Sequence, residues 1–331
     1  MKNVIYAAIL FLFTITCYSC KKESQANKDA EGSLVPKTVD HDPSIPSITV
    51  NGTQLHSETF GNPADPMVIY IHGGPGSDYR NAYNVKDLVK DKYYVVFYDQ
   101  RGSGLSKRHP KDSYTIDIMV EDLDAVIRYY RHSPQQKIFL FGHSWGAMLA
   151  SGYVNKYPGN VNGLILAEPG GLVWDEVTDY VKRIRSIQLF SEASNDATYA
   201  DQFISGSEND QALLDYRATL LIPSTYAKNN EEGIEGPFPF WRPGAVVSSK
   251  LFEIGRKEGL DFTTGLKRFT PKVLFMYSAD NRGYGEGHAQ KVSSHFSNVQ
   301  LERVDGTGHQ MIYFGWNNVR VLTLTYLNSL R

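Results

Sequence analysis

Ser144 stands in Gly142-His143-Ser144-Trp145-Gly146, directly after the apolar run Lys137-Ile138-Phe139-Leu140-Phe141 and ahead of the helical stretch Ala147-Met148-Leu149-Ala150. A serine on so tight a strand-to-helix turn can serve as a nucleophile. Small residues must flank it, because a side chain at either glycine would meet the neighbouring strand or helix. The turn lifts the hydroxyl clear of a sheet and sets it beside a helix N-terminus that favours developing negative charge. A nucleophile of this kind needs a base, and His309 offers one in Asp305-Gly306-Thr307-Gly308-His309, after the strand pattern Val299 to Val304. It also needs an acid to orient that base. The candidate is Asp280, which follows the strand pattern Pro271 to Tyr277. Asp305 lies too near His309 in sequence to sit opposite it easily, and Asn281 is the neighbouring alternative to Asp280. His288 and His295 fall in an expected helix and are taken as solvated. His143 is taken as a hydrogen-bonding or packing residue behind the turn.

Several elements must position these groups. Met67-Val68-Ile69-Tyr70-Ile71 reads as a buried strand that runs into His72-Gly73-Gly74-Pro75-Gly76, with His72 expected to hydrogen-bond within the loop. Tyr93 to Tyr98 is the next strand and ends in Asp99-Gln100-Arg101-Gly102-Ser103-Gly104. A hairpin lies near 47–60, turned at Asn51-Gly52. Ile116, Met119, Val120, Leu123, Val126, Ile127 and Tyr130 mark one face of a helix. Val161 to Leu166 is a further strand, and Leu322 to Leu330 closes the chain on a helix. Strands alternating with helices predict an α/β fold with a mostly parallel central sheet, its site at the carboxyl ends of the strands. The order Ser, Asp, His along the chain is that of the α/β-hydrolase fold. Between about Gly170 and Leu266 the alternation gives way to helical patterns: Val177, Val181, Ile184, Ile187 and Leu189, then Leu213, Leu214, Leu220 and Leu221. The boundaries read as core 46–169 and 267–331, with a helical cap at 170–266.

His72-Gly73-Gly74-Pro75-Gly76, Asp99-Gln100-Arg101-Gly102-Ser103-Gly104 and Gly142-His143-Ser144-Trp145-Gly146 together resemble the proline iminopeptidase family of α/β-hydrolase serine peptidases. The resemblance covers about residues 50–168 and 269–331. It implies a triad of Ser144, Asp280 and His309, and an oxyanion hole made by the backbone N–H groups of Gly74 and Trp145. A serine in the elbow excludes the aspartate-nucleophile hydrolases. The chain departs from the family in the cap. Relatives carry a glutamate within an aromatic-bordered stretch, whereas Gly236-Pro237-Phe238-Pro239-Phe240 has none and Glu235 lies just before it. Some relatives place Glu after the triad Asp, where this chain has Asn281. Glu168, at the strand end leading into the cap, could face the site as a substrate-binding carboxylate or cap a solvated turn. The aromatics from Pro237 to Trp241 could line the pocket or pack cap to core.

Three functions follow from this pattern. One is an aminopeptidase acting on short peptides with a free N-terminus, the second an esterase or amidase acting on uncharged acyl groups. The third is a binding protein that keeps the fold without turnover. With 331 residues, 41% of them hydrophobic, the chain suffices for one α/β domain with an insertion. A net charge of −2 with interspersed signs gives no nucleic-acid footprint. No phosphate loop, dinucleotide fingerprint or Cys/His metal spacing is found, so no metal and no cofactor are expected. The oligomeric state is left open. Met1-Lys2-Asn3, the apolar run Val4 to Ile15, and Cys20 followed by Lys21-Lys22 resemble a bacterial lipoprotein signal peptide over 1–20, lipidated at Cys20. Cys17 departs from the aliphatic residue that pattern favours, and an ordinary secretory signal or short membrane anchor is the alternative. The expectation is an exported protein held at the membrane by a lipid anchor, with 21–45 a disordered tether.

Overall fold

The computed structural model describes residues 35–185, 211–221 and 230–330. The signal-like segment with Cys17 and Cys20, the tether as far as residue 34, and Ile187 and Leu189 lie outside the described residues, as do the side chains of Leu220 and Leu221.

Eight strands form one sheet: β1 Ser47–Val50, β2 Thr53–Phe60, β3 Met67–Ile71, β4 Tyr94–Tyr98, β5 Ile138–His143, β6 Gly163–Ala167, β7 Val273–Ser278 and β8 Val299–Val304. Their order is β1-β2-β4-β3-β5-β6-β7-β8. The first two strands pair antiparallel and every pairing from β4 to β8 is parallel. Asn51 and Gly52 both take positive φ, the geometry that a two-residue hairpin turn requires. The inner strands are buried along their whole length, as parallel strands covered on both faces must be.

Helices cover each face. Residues Met67, Ile69 and Ile71 of β3 join a core with helices α1 (Ile116–Tyr130) and α2 (Trp145–Lys156). Val68 and Tyr70, pointing the other way as strand periodicity demands, meet the 3₁₀ segment Arg80–Asp91 and the closing helix α8 (Trp316–Ser329). Helix α1 starts where Thr115 accepts the Ile118 N–H at 3.1 Å, and it buries the apolar face read from its sequence. The remaining α-helices among the described residues are α3 (Trp174–Arg185), α4 (Gln211–Leu221), α5 (Ala245–Glu258), α6 (Gly285–Ser293) and α7 (Met311–Phe314). The first three of these fall between β6 and β7. Among the described residues no helix is long and apolar enough to cross a membrane.

One expectation changes at the amino terminus. The tether was expected to run to residue 45, but the chain is docked from Val35 onward. Val35 and Val39 are buried, the Val39 N–H donates to the Leu105 carbonyl at 2.8 Å, and Arg242 Nη1 donates to the Pro36 carbonyl at 2.9 Å. Two valines within five residues bury enough apolar surface to hold a segment whose composition is otherwise polar.

Candidate active site

The elbow forms where β5 passes into α2. Ser144 has φ 54° and ψ −122°, a conformation that L-residues reach only when the surroundings impose it. Those surroundings are backbone. A Cβ on Gly142 would lie 2.4 Å from the Gly146 carbonyl oxygen, and one on Gly146 would lie 2.0 Å from that of Ile71. Trp145 opens α2, so its N–H belongs to the first helical turn, where no intrahelical acceptor exists. The His72–Gly76 loop lies against the elbow: a Cβ on Gly73 would approach the Ser144 Cβ to 3.2 Å.

Gln100 ties these loops together. Its backbone N–H donates to His72 Nε2 at 2.9 Å and its side-chain amide to the His72 carbonyl at 2.8 Å. Its side-chain oxygen accepts the Trp145 indole N–H at 2.9 Å. His72 is buried, and its Nδ1 donates to the Gly73 carbonyl at 2.8 Å. The same turn is anchored behind by a buried pair in which Arg101 Nε and Nη2 donate to Asp122 at 2.7 and 2.8 Å. The D-Q-R-G-S-G sequence is therefore a brace in this fold.

The carboxylate beside His309 is not the expected one. His309 Nδ1 donates to Glu168 Oε2 at 2.6 Å. Asp280 is exposed on the loop after β7, where its backbone N–H donates to the Thr307 carbonyl. The physical reason is the path of the chain at the end of β6. Glu168 takes φ 45° and is fully buried, and the end of β7 and the loop after it supply donors to it. Ser278 donates to Oε1 through its N–H at 2.7 Å and its hydroxyl at 2.6 Å, and Asn281 Nδ2 donates to Oε2 at 2.9 Å. Burial alone would raise the Glu168 carboxyl. The hydrogen bond and charge of His309 and the two Ser278 donors outweigh it and hold the group below the ordinary value. His309 moves the opposite way. Burial would lower it, but the bond to Glu168 and the charges of Glu232 and Glu168 raise it. Glu168 thus stands behind the base rather than as a contact for substrate. Asn281, the alternative considered for the acid, donates to that acid instead.

The other histidines also have partners. His143 donates from Nε2 to the His309 carbonyl at 2.7 Å, and its ring lies 4.8 Å from that of His309. Burial and the neighbouring His309 push it down to about 3, so it is a neutral donor behind the base. His288, expected to be solvated, is buried against the Gly170 carbonyl at 2.8 Å. His295 lies beyond the end of α6 and meets Glu176 at 2.8 Å.

Ser144, Trp145, Gly74 and His309 line one cavity of about 690 Å³, its mouth included. Its walls are mainly apolar, with Met148 from the core and Trp174, Val177, Val181, Leu251 and Phe252 from the cap. One carboxylate that sequence reading passed over also lines it. Glu232 is half-buried, its side chain accepts the Tyr180 hydroxyl at 2.9 Å, and its carbonyl accepts the His309 N–H at 2.8 Å. The signal available was the pair Glu231-Glu232 ahead of Gly233, a positive-φ glycine, a few residues upstream of the stretch searched. Glu235 instead accepts the Gly308 N–H at 3.1 Å. Trp241 packs edge-on to His56 and Tyr79, each 4.9 Å away, so at this residue the aromatic stretch joins cap to core. Among the described residues no group of His, Cys, Asp and Glu is arranged to hold a metal ion.

A sequence profile for the alpha/beta hydrolase fold matches residues 66–315. A proline iminopeptidase of Heyndrickxia coagulans is 31% identical over 245 residues, 69% of this chain and 79% of that protein. Another, from Thermoplasma volcanium, is 39% identical over 102 residues, 31% of this chain and 33% of its own length. The matches to the first curated relatives span 33–42% of those proteins. A solved proline iminopeptidase from Mycobacterium smegmatis superposes with a TM-score of 0.61 at 16% identity, covering 86% of this chain and 97% of that one. At that identity the likeness speaks for the fold.

Proposed function

This chain belongs to the alpha/beta hydrolase fold family, and from that premise we propose that it is a serine hydrolase that removes N-terminal residues from short peptides. The observation that carries the reading is the placement of one carboxylate, Glu232, in an otherwise apolar cavity that Ser144 and His309 also line. A substrate ammonium taken out of water needs such a partner, because an unpaired buried cation is costly. The apolar walls would receive the side chain of the same residue.

In this mechanism His309, with Nδ1 donating to Glu168, presents Nε2 as the unprotonated nitrogen and takes the Ser144 proton as Oγ attacks the carbonyl. Glu168 fixes the tautomer and stabilises the imidazolium, the role that the sequence had suggested for Asp280. The N–H groups of Gly74 and Trp145 receive the oxyanion, each such donor worth on the order of 10²–10³ in rate. His309 then gives its proton to the leaving amine, which departs as the Ser144 acyl-enzyme forms. Water activated by the same base releases the acid. The apolar remainder of the cavity supports a second reading, an esterase or amidase for uncharged acyl groups.

Matched aminoacyl amides, free and N-acetylated, tested beside a short-chain ester with Ser144→Ala as control, separate the two. Acetylation is expected to lower Ser144-dependent amide turnover about 100-fold or more. Equal turnover of both forms, or cleavage of the ester alone, would replace the peptidase by the esterase reading.

A further inference from the structure

The cavity carboxylate and the base are joined by one line of hydrogen bonds. Tyr180, on cap helix α3, donates its hydroxyl to Glu232 Oε1 at 2.9 Å and accepts from Asn281 Nδ2 at 3.2 Å. Asn281 Nδ2 also donates to Glu168 Oε2 at 2.9 Å, the oxygen that accepts His309 Nδ1 at 2.6 Å. The Asn281 side-chain oxygen takes the Tyr284 N–H at 3.1 Å, so both ends of this amide are engaged. Tyr180, Asn281 and Glu168 are all buried, and the Tyr180 ring lies 6.3 Å from that of His309. Low polarity around the path keeps interactions between its charges strong.

We infer that Tyr180 is a positioning residue that holds Glu232 in register with the Glu168–His309 pair, so that the charge on Glu232 sets the pH at which His309 becomes a free base. The inference deepens the proposed function and rests on it for the identity of the ligand, the ammonium of an N-terminal residue. With the cavity empty, two carboxylates act on His309 and favour its protonated form. A bound ammonium cancels one of them, and the imidazole loses its proton at a lower pH. The correct substrate would thereby release its own base.

Among the described residues, the titratable groups set around His309 are few. They are Glu168 at the end of β6, neutral His143 at the end of β5, Tyr180 on α3, and Glu232 and Glu235 on the segment before the aromatic stretch. Asp280 is exposed, and Glu231 is paired with Arg282 at 2.8 Å.

The titration of His309 in full-length protein labelled with ¹⁵N in its histidine rings reads this coupling without requiring turnover. Glu232→Gln is expected to lower the His309 midpoint by about half a pH unit or more. In a Tyr180→Phe background the same substitution should move it by less than half as much, because the carboxylate is no longer held in line. Asn281→Ala cuts the path from its other side and serves if the Tyr180 variant does not fold. An unmoved midpoint in Glu232→Gln, or an equal shift in both backgrounds, overturns the inference. Loss of amine dependence in the turnover assay would instead strike the proposed function, and the titration would still be decided on its own terms.

Discussion

At the scale of single residues, the placement of the acid is where sequence and structure part. Glu168 and Asp280 each follow a strand that ends beside the site, and nothing local distinguishes them. The choice depends on the positive φ at Glu168 and on three donors from a segment more than a hundred residues away. The positions of Ser144 and His309 at one cavity, by contrast, could be read because each sits on a short glycine-rich turn whose type is set locally. Glu168→Gln is expected to cut kcat by on the order of 10³–10⁴, since an amide can hold the imidazole in the wrong tautomer. Asp280→Asn, at an exposed position, should leave kcat within about twofold. Steady-state kinetics of both variants on one substrate decides the assignment, and the reverse pattern would return the acid to Asp280.

Elements carry the geometry, and here the sequence was most readable. The alternation of strand side chains between the two faces of the sheet and the 3.6-residue face of α1 follow from side-chain direction alone. The hairpin at Asn51-Gly52 follows from the backbone freedom of those two residues. Less readable were the roles of the cap segments, because a carboxylate such as Glu232 acquires its meaning from helices folded over it. The elbow gives a sharp test at this scale. Gly146→Ala puts a Cβ against the Ile71 carbonyl and is expected to cost about 1–3 kcal/mol or more, read as a lower urea midpoint. Gly159→Ala, which meets nothing within 4 Å, is the matched control and should leave the midpoint close to that of the parent.

Over the whole molecule, the cap is fastened to the core by a buried charge cluster. Asp215 on α4 accepts from Arg242 Nε at 2.7 Å, from Arg108 Nε at 3.0 Å and from the Ala245 N–H at 2.9 Å. Arg242 is fully buried, the Arg108 side chain is only 8% exposed, and Arg108 belongs to the core loop that follows the brace. Asp215→Ala would leave two guanidinium groups in a dry site and is expected to destabilise by about 3–5 kcal/mol. Limited proteolysis followed by mass mapping should show cleavage spreading from the cap first. A variant as resistant as the parent would mean that the apolar contacts of the cap suffice without the charges.

The docked amino-terminal segment has a mechanical consequence. Its holding points are the Val39–Leu105 backbone bond and the Arg242–Pro36 bond, and Arg242 is also the residue that grips Asp215. Tension applied ahead of Val35 would therefore divide between the core loop that carries Leu105, just after β4, and Arg242 at the root of the cap. A load on that end of the chain would thus pull on the two segments, one in the core and one in the cap, that the Asp215 cluster joins.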